Sequence, residues 1–245
     1  MINKLREWYN SLKVHYSQNY YMLGRTACLG QDIFNLKYNN PVQSKSLINM
    51  QKVRADVFVD FIKNKNRPKS NLVKPFMARE DIFPMIVEQE KFNWLKPRNT
   101  THTILLDSFS ELTDQKFTHI NQGWSFCCNY SDINHSPEFE SNFVCEGLIP
   151  LDELESVYNI FFAELQKNYP VKKIMFVHFP TTLDTRELFI ERGKAILQIL
   201  LSIEKTNKSI HNLYVNDNEV FPYTEDDFPY HYGMDTQLAF VKQWK

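Results

Sequence analysis

The stretch Tyr20-Tyr21-Met22-Leu23-Gly24-Arg25-Thr26-Ala27-Cys28-Leu29-Gly30-Gln31-Asp32-Ile33-Phe34 passes from an apolar, β-prone run into helical spacing, and its reading decides the fold. It holds two of the chain's six glycines. A strand that turns sharply into a helix aims main-chain N–H groups at one point and adds the helix dipole, which suits a phosphate or an oxyanion. G-x-G-x-x-G is absent, and so is the Gly-Lys-Ser/Thr ending of a phosphate-binding loop.

Working outward, short apolar runs recur at 103–106, 174–177 and 213–215, with a weaker one at 42–48. Each has the length of a buried strand. Helical spacing lies between them: Val53, Val57, Phe58, Phe61 and Ile62 share one face, as do Leu151, Leu154, Val157, Ile160, Phe161 and Leu165. The segment 188–203 is apolar enough for a crossover helix. Strand and helix alternate along the chain, which predicts one α/β domain over 1–245, with a doubly wound, mainly parallel five-stranded sheet and helices on both faces. Such sheets bind ligands beyond the carboxyl ends of their strands. Residues 24–32, 107–110, 178–182 and 216–231 are therefore the ones to question.

The 245 residues include 19 Phe and 12 Tyr, more rings than a core alone requires. The segment 117–143, with Trp124, Phe126, Tyr130, His135 and Phe139, reads as a long aromatic loop: a lid or sugar-stacking wall, or else an irregular aromatic core over the sheet edge. Lys and Arg total 28 against 29 Asp and Glu, a net charge of -1, which argues against a nucleic-acid partner. The four cysteines, Cys28, Cys127, Cys128 and Cys145, show no zinc-ribbon spacing and no disulfide framework, so a reducing cytoplasm is expected. The first fourteen residues are amphipathic and no run has the length of a membrane span, so a soluble, unexported chain with no transmembrane segment is expected.

Near the C-terminus, Tyr223-Thr224-Glu225-Asp226-Asp227-Phe228-Pro229-Tyr230-His231-Tyr232-Gly233 sets carboxylates shortly before a histidine. A carboxylate beside an imidazole fixes its tautomer and raises its basicity, as acid–base work requires. The alternative is a surface turn with His231 packed among tyrosines. His178, at the end of an apolar run, is a second candidate, either structural or ligand-binding. The scatter of His and Cys offers no metal set, and no metal is expected.

These blocks resemble an SGNH-hydrolase-like bacterial family found in surface-polysaccharide gene clusters, whose opening block reads Gly-Ser-Cys-Val-Thr/Ser-Arg-Asp-x-Phe. Thr26-Ala27-Cys28-Leu29-Gly30-Gln31-Asp32-Ile33-Phe34 is similar to that block, Leu105-Leu106-Asp107-Ser108-Phe109 to an internal strand end, and Tyr230-His231-Tyr232 to the closing element. The resemblance implies a flavodoxin-like, SGNH-type fold. It also implies acyl-ester chemistry on a carbohydrate: O-acetyl transfer to, or removal from, a surface polysaccharide or its precursor. His231 would be the general base, Asp227 or Asp226 would orient it, and the N–H groups of Cys28 and Gly30 would hold the oxyanion. Asp107 and Ser108 would line the substrate, and Asp32 would cap the following helix or brace the turn; His178, at a strand end, and Trp124, in the aromatic segment, are further substrate-binding candidates from their places in the sequence. No tightly bound cofactor is implied, and acetyl-CoA is a candidate donor.

Two positions depart from the family pattern. Ala27 stands where the nucleophilic serine is expected, and Gln31 stands in place of the arginine. A methyl group cannot attack a carbonyl. Three explanations stay open for Ala27: a serine-to-alanine change that disables the enzyme, a nucleophilic Cys28, or a member that only binds. The competing functions are a non-catalytic glycan-binding or assembly protein on the same fold, and a transferase acting on a phosphate-containing glycan precursor.

Overall fold

The computed structural model describes residues 20–38, 45–95, 100–224 and 228–244. In chain order these form β1 (Tyr20–Arg25), α1 (Cys28–Tyr38), β2 (Lys45–Asn49), α2 (Ala55–Lys63), α3 (Ser70–Val73), α4 (Phe83–Lys91), β3 (Thr100–Asp107) and α5 (Phe109–Thr113). They continue as β4 (Gln115–His119), β5 (Ser125–Cys128), α6 (Pro137–Asn142), β6 (Phe143–Gly147), α7 (Leu154–Asn168), β7 (Lys173–Val177), α8 (Glu187–Thr206), β8 (Ile210–Leu213) and α9 (Met234–Gln243).

Five strands make one parallel sheet in the order β2-β1-β3-β7-β8. This is the flavodoxin-like, doubly wound α/β arrangement that the alternating pattern predicts. The central strands are apolar on both faces because helices cover both: Ile104, Leu105 and Leu106 of β3 and Ile174, Met175, Phe176 and Val177 of β7 are all buried. Helix α1 packs on α9, while α2 packs on α7 and α7 on α8. Helix α2 turns Val57, Phe58 and Phe61 inward, so its apolar stripe covers about one side.

Two details differ from the sequence reading. The last strand ends at Leu213, so Tyr214 and Val215 lie beyond it; pairing of Ile210 with Ile174 sets that register. The weak run at 42–48 becomes β2 at Lys45–Asn49, and the first part of that run, like the amphipathic N-terminal segment, lies outside the described residues.

The segment 117–143 is not a loop. With its flanks it forms an antiparallel three-stranded sheet, β5-β4-β6. A second apolar core fills its inner face, with Phe117, Trp124, Phe126, Phe139 and Phe143 packed on Val73, Phe76, Ile82 and Ile86. Trp124 is 3% exposed and its rings meet those of His119 and Phe143, so it is a core residue rather than a sugar platform. Tyr130 is the exposed member, with His135 stacked on it at 3.8 Å. The aromatic surplus is largely consumed by packing: Phe58 alone meets Phe92, Trp94 and Phe161 edge-on at 4.8–5.4 Å. Contacts of that geometry are worth about 1 kcal/mol each beyond the area they bury.

The two layers are joined by polar groups. Lys52 places its ammonium 2.9 Å from Asp132 and 3.4 Å from Asp114, both carboxylates being buried. Within the main layer, buried Arg192 of α8 donates to the main-chain oxygens of Glu111 and Ile149, both at 2.7 Å.

Candidate active site at the head of the first helix

The turn after β1 is shaped by side chains from its two neighbouring strands. Asn49, at the end of β2, accepts the Thr26 N–H at 3.0 Å and donates to the Thr26 carbonyl at 2.9 Å. From the other side, Asp107 at the end of β3 accepts the Ala27 N–H at 2.6 Å and the Phe109 N–H at 3.1 Å. Beneath the turn, buried Arg25 donates to both carboxylate oxygens of Glu111 and to the carbonyls of Val53 and Asp107. Glu111 also accepts the Ala55 N–H at 2.7 Å and so caps α2.

Glycine does not make the bend. Neither Gly24 nor Gly30 has a positive φ. Gly30 lies inside α1, where a Cβ would sit 2.6 Å from the Thr26 Cβ. Its absent side chain lets the helix close onto Thr26, which is a packing role rather than the loop role expected of it.

Above the turn, α1, α9 and the loop between β8 and α9 enclose a pocket of about 340 Å³ lined by Cys28, Leu29, Asp32, Tyr223, Tyr230, His231, Tyr232 and Gln237. Cys28 and Asp32 are one helical turn apart and share the face of α1 that looks onto it. Gln237 of α9 donates to Asp32 at 3.3 Å and to the Tyr232 carbonyl at 3.0 Å, tying α1 to the loop that carries His231. The His231 main chain is held by the Phe228 carbonyl and the Tyr223 N–H, both at 3.0 Å. Burial raises the Asp32 carboxyl above its ordinary range and the charge of His231 pulls it back. The Tyr232 hydroxyl donates to the Pro180 carbonyl at 2.5 Å, and the Tyr230 hydroxyl donates to Asp184. Those two phenols are fixed parts of the wall.

The predicted residues separate into three groups. Cys28 and His231 share the pocket, with Asp32 beside His231 instead of capping the helix; Asp226 and Asp227 lie outside the described residues. Asp107 and Ser108 face inward: Asp107 is spent on the N–H groups of Ala27 and Phe109, and the Ser108 hydroxyl accepts the Phe179 N–H at 3.0 Å. His178 belongs to a different cavity and Trp124 to the second core. Gln237 was missed, since nothing in its sequence context distinguishes it from a surface residue, and Tyr223, at the head of the acidic stretch, was given no role of its own.

The chemistry is set by which groups are ionised. Burial, with Asp107 adding to it, pushes the Cys28 thiol up to about 12, so it stays protonated and is a poor nucleophile. Burial pushes Asp107 up to about 7, against the pull of Arg25 and the two N–H groups. The N–H groups of the first turn of α1 give the head of the helix a positive dipole, although Asp107 already takes that of Ala27. No group of three His, Cys, Asp or Glu residues suited to a metal occurs among the described residues. Nor, among those residues, is any helix long and apolar enough to cross a membrane. No family model matches the chain, and no curated protein matches it significantly.

Proposed function

We propose that this pocket carries out acyl-ester chemistry on a carbohydrate, O-acetyl transfer to or removal from a surface glycan or its precursor, with His231 as general base. The observation that carries the reading is that His231 and Asp32 line one pocket at the carboxyl end of β1, against the head of α1. With Ala27 at the turn and a protonated Cys28, the acceptor itself is the nucleophile and no acyl-enzyme forms. A sugar hydroxyl, or water, gives its proton to His231 as its oxygen bonds to the acyl carbon. The bond to the leaving group then breaks, and His231 returns the proton to the departing thiolate of acetyl-CoA or to the alkoxide of the acetyl ester. Asp32 steadies the imidazolium in between.

A second reading is favoured by the methyl group of Ala27 and the protonated Cys28: a glycan-binding protein without turnover. Acetyl-CoA consumption and acetyl-ester hydrolysis, measured for the chain and for His231→Gln, Asp32→Asn and Ala27→Ser, separate the two. Direct catalysis predicts turnover that falls about 10²- to 10⁴-fold in His231→Gln. Glycan binding with no turnover, in the chain and in Ala27→Ser alike, establishes the second reading; release of phosphate supports the phosphate-handling transferase.

A further inference from the structure

Donors and acceptors are not balanced around the pocket at the head of α1. The Tyr230 and Tyr232 hydroxyls are spent on Asp184 and on the Pro180 carbonyl, neither of which lines it, and the Cys28 thiol points at the Tyr230 carbonyl at 3.9 Å. What Asp32 and Gln237 leave for a ligand are oxygens.

Gln237 is the informative one. It is half-buried on α9, and its Nε2 donates to the Asp32 Oδ2 at 3.3 Å and to the Tyr232 carbonyl at 3.0 Å. A main-chain carbonyl can only accept, which fixes the orientation of the amide, and the two contacts use both of its hydrogens. Asp32 and Tyr232 line the pocket themselves, so the amide head that ties them together lies in its wall. Its Oε1 receives no hydrogen bond from any described residue. Nor is that oxygen one of the chain's buried, unpartnered side-chain atoms, so water reaches it. It is an oriented, accessible acceptor.

Such an oxygen selects a ligand that brings a hydrogen. The Asp32 carboxylate beside it turns anions away, and the charge of His231, which pulls the Asp32 carboxyl back toward ionisation, turns cations away. A neutral hydroxyl meets both conditions. We propose that Gln237 is the specificity-determining residue of this pocket: its Oε1 accepts one hydroxyl of a sugar, a different hydroxyl from the one that meets His231. The contact holds the ring against α9 and decides which of its hydroxyls lies at the base. A sugar without that hydroxyl would fill the pocket and leave Oε1 unpaired, and is rejected for that reason. That the ligand is a carbohydrate rests on the acyl-ester reading above; the accessible acceptor does not.

The test is a titration of ¹⁵N-labelled protein with glucose, galactose and N-acetylglucosamine, following the Gln237 side-chain amide and the His231 imidazole. One of the three should move both. Among the monodeoxy analogues of that sugar, one should bind about three- to tenfold more weakly, and once bound it should still move His231 but no longer the Gln237 amide. In Gln237→Leu, with the fold checked by circular dichroism, the sugar and that analogue should bind alike. The proposal is overturned if none of the three sugars moves the Gln237 amide, if every analogue binds as well as its parent, or if every deficit persists in Gln237→Leu. Binding and turnover fail separately. A sugar held through Gln237 with no acetyl-CoA consumption or ester hydrolysis removes the acyl-ester reading and leaves this contact standing, whereas turnover with an unmoved Gln237 amide does the reverse.

Discussion

The Asp107 carboxylate accepts the Ala27 N–H at 2.6 Å, so the turn where an external anion would be expected already holds a carboxylate of the chain itself. That contact crosses from β3 to β1, the strands between which the chain reverses its winding, and it fixes the point where α1 begins.

A pH dependence follows from Asp107 together with His178. The folded chain holds Asp107 at about 7, above its ordinary 3.8, so its contribution to stability is complete below pH 4 and lost as pH rises through 7. It holds His178 at about 4, below its ordinary 6.5, so that contribution is complete above pH 6.5 and lost as pH falls through 4. Between these limits the two oppose each other, each with a slope of at most about 1.4 kcal/mol per pH unit. Urea unfolding at a series of pH values should find Asp107→Asn gaining stability from pH 4.5 to 6.5 and His178→Gln losing it, with the parent chain flatter than either. Parallel slopes in all three would refute both assignments.

Thiol labelling should follow burial. Cys145 is exposed, Cys28 half-buried, and Cys127 and Cys128 buried, with burial pushing all four thiols up. Iodoacetamide near pH 8 should modify Cys145 first and Cys28 more slowly, sparing the vicinal pair until the chain unfolds. Peptide mass spectrometry reads the order. Cys28→Ala should leave any turnover intact; loss of turnover would restore Cys28 as the nucleophile.

Glu111 should be among the most costly positions to change. Its carboxylate pairs with Arg25 at 2.6 Å and caps α2, both groups of the ion pair being buried. Glu111→Gln leaves the guanidinium buried without a counter-charge, at a cost of about 3–5 kcal/mol in urea unfolding. A double variant, Arg25→Met with Glu111→Leu, should recover part of that loss. Additive losses would show that the pair is not coupled.

At Gly30 the prediction reverses the usual helix preference. Alanine is worth about 1 kcal/mol over glycine inside a helix. Here its methyl group would lie 2.6 Å from the Thr26 Cβ, and overpacking of that kind costs about 1–3 kcal/mol. Gly30→Ala should therefore lower the melting temperature; a higher one would mean that Thr26 gives way freely.

The sheet was legible because buried parallel strands are written as unbroken apolar runs, as in Ile174-Met175-Phe176-Val177. The antiparallel layer was not, since Gln115-Lys116-Phe117-Thr118-His119 buries only Phe117 and His119 and β5 has four residues. A strand apolar on one face only, and another of four residues, resemble loop sequence. At the site, His231 was visible through its neighbourhood and Asp32 through its position in the turn. The partnership of Asp32 with Gln237 was hidden, because it joins residues 205 positions apart. The inward turn of Asp107 was likewise set by contacts with Ala27 and Phe109 that no local pattern announces.

The second layer draws on both sides of β3. Met77 bridges to Ile133, Ala78 donates to the Asp132 carbonyl at 2.8 Å, and Asn134 donates to the Phe76 carbonyl at 2.7 Å. Cutting out the β4–β6 region would strip the cover from Val73, Phe76, Ile82 and Ile86 and take Asp132 away from Lys52. That region is thus no cassette to be swapped between scaffolds: a chimera that transplants it must carry the 70–91 segment with it, and a lineage that lost one piece would have had to remake the other.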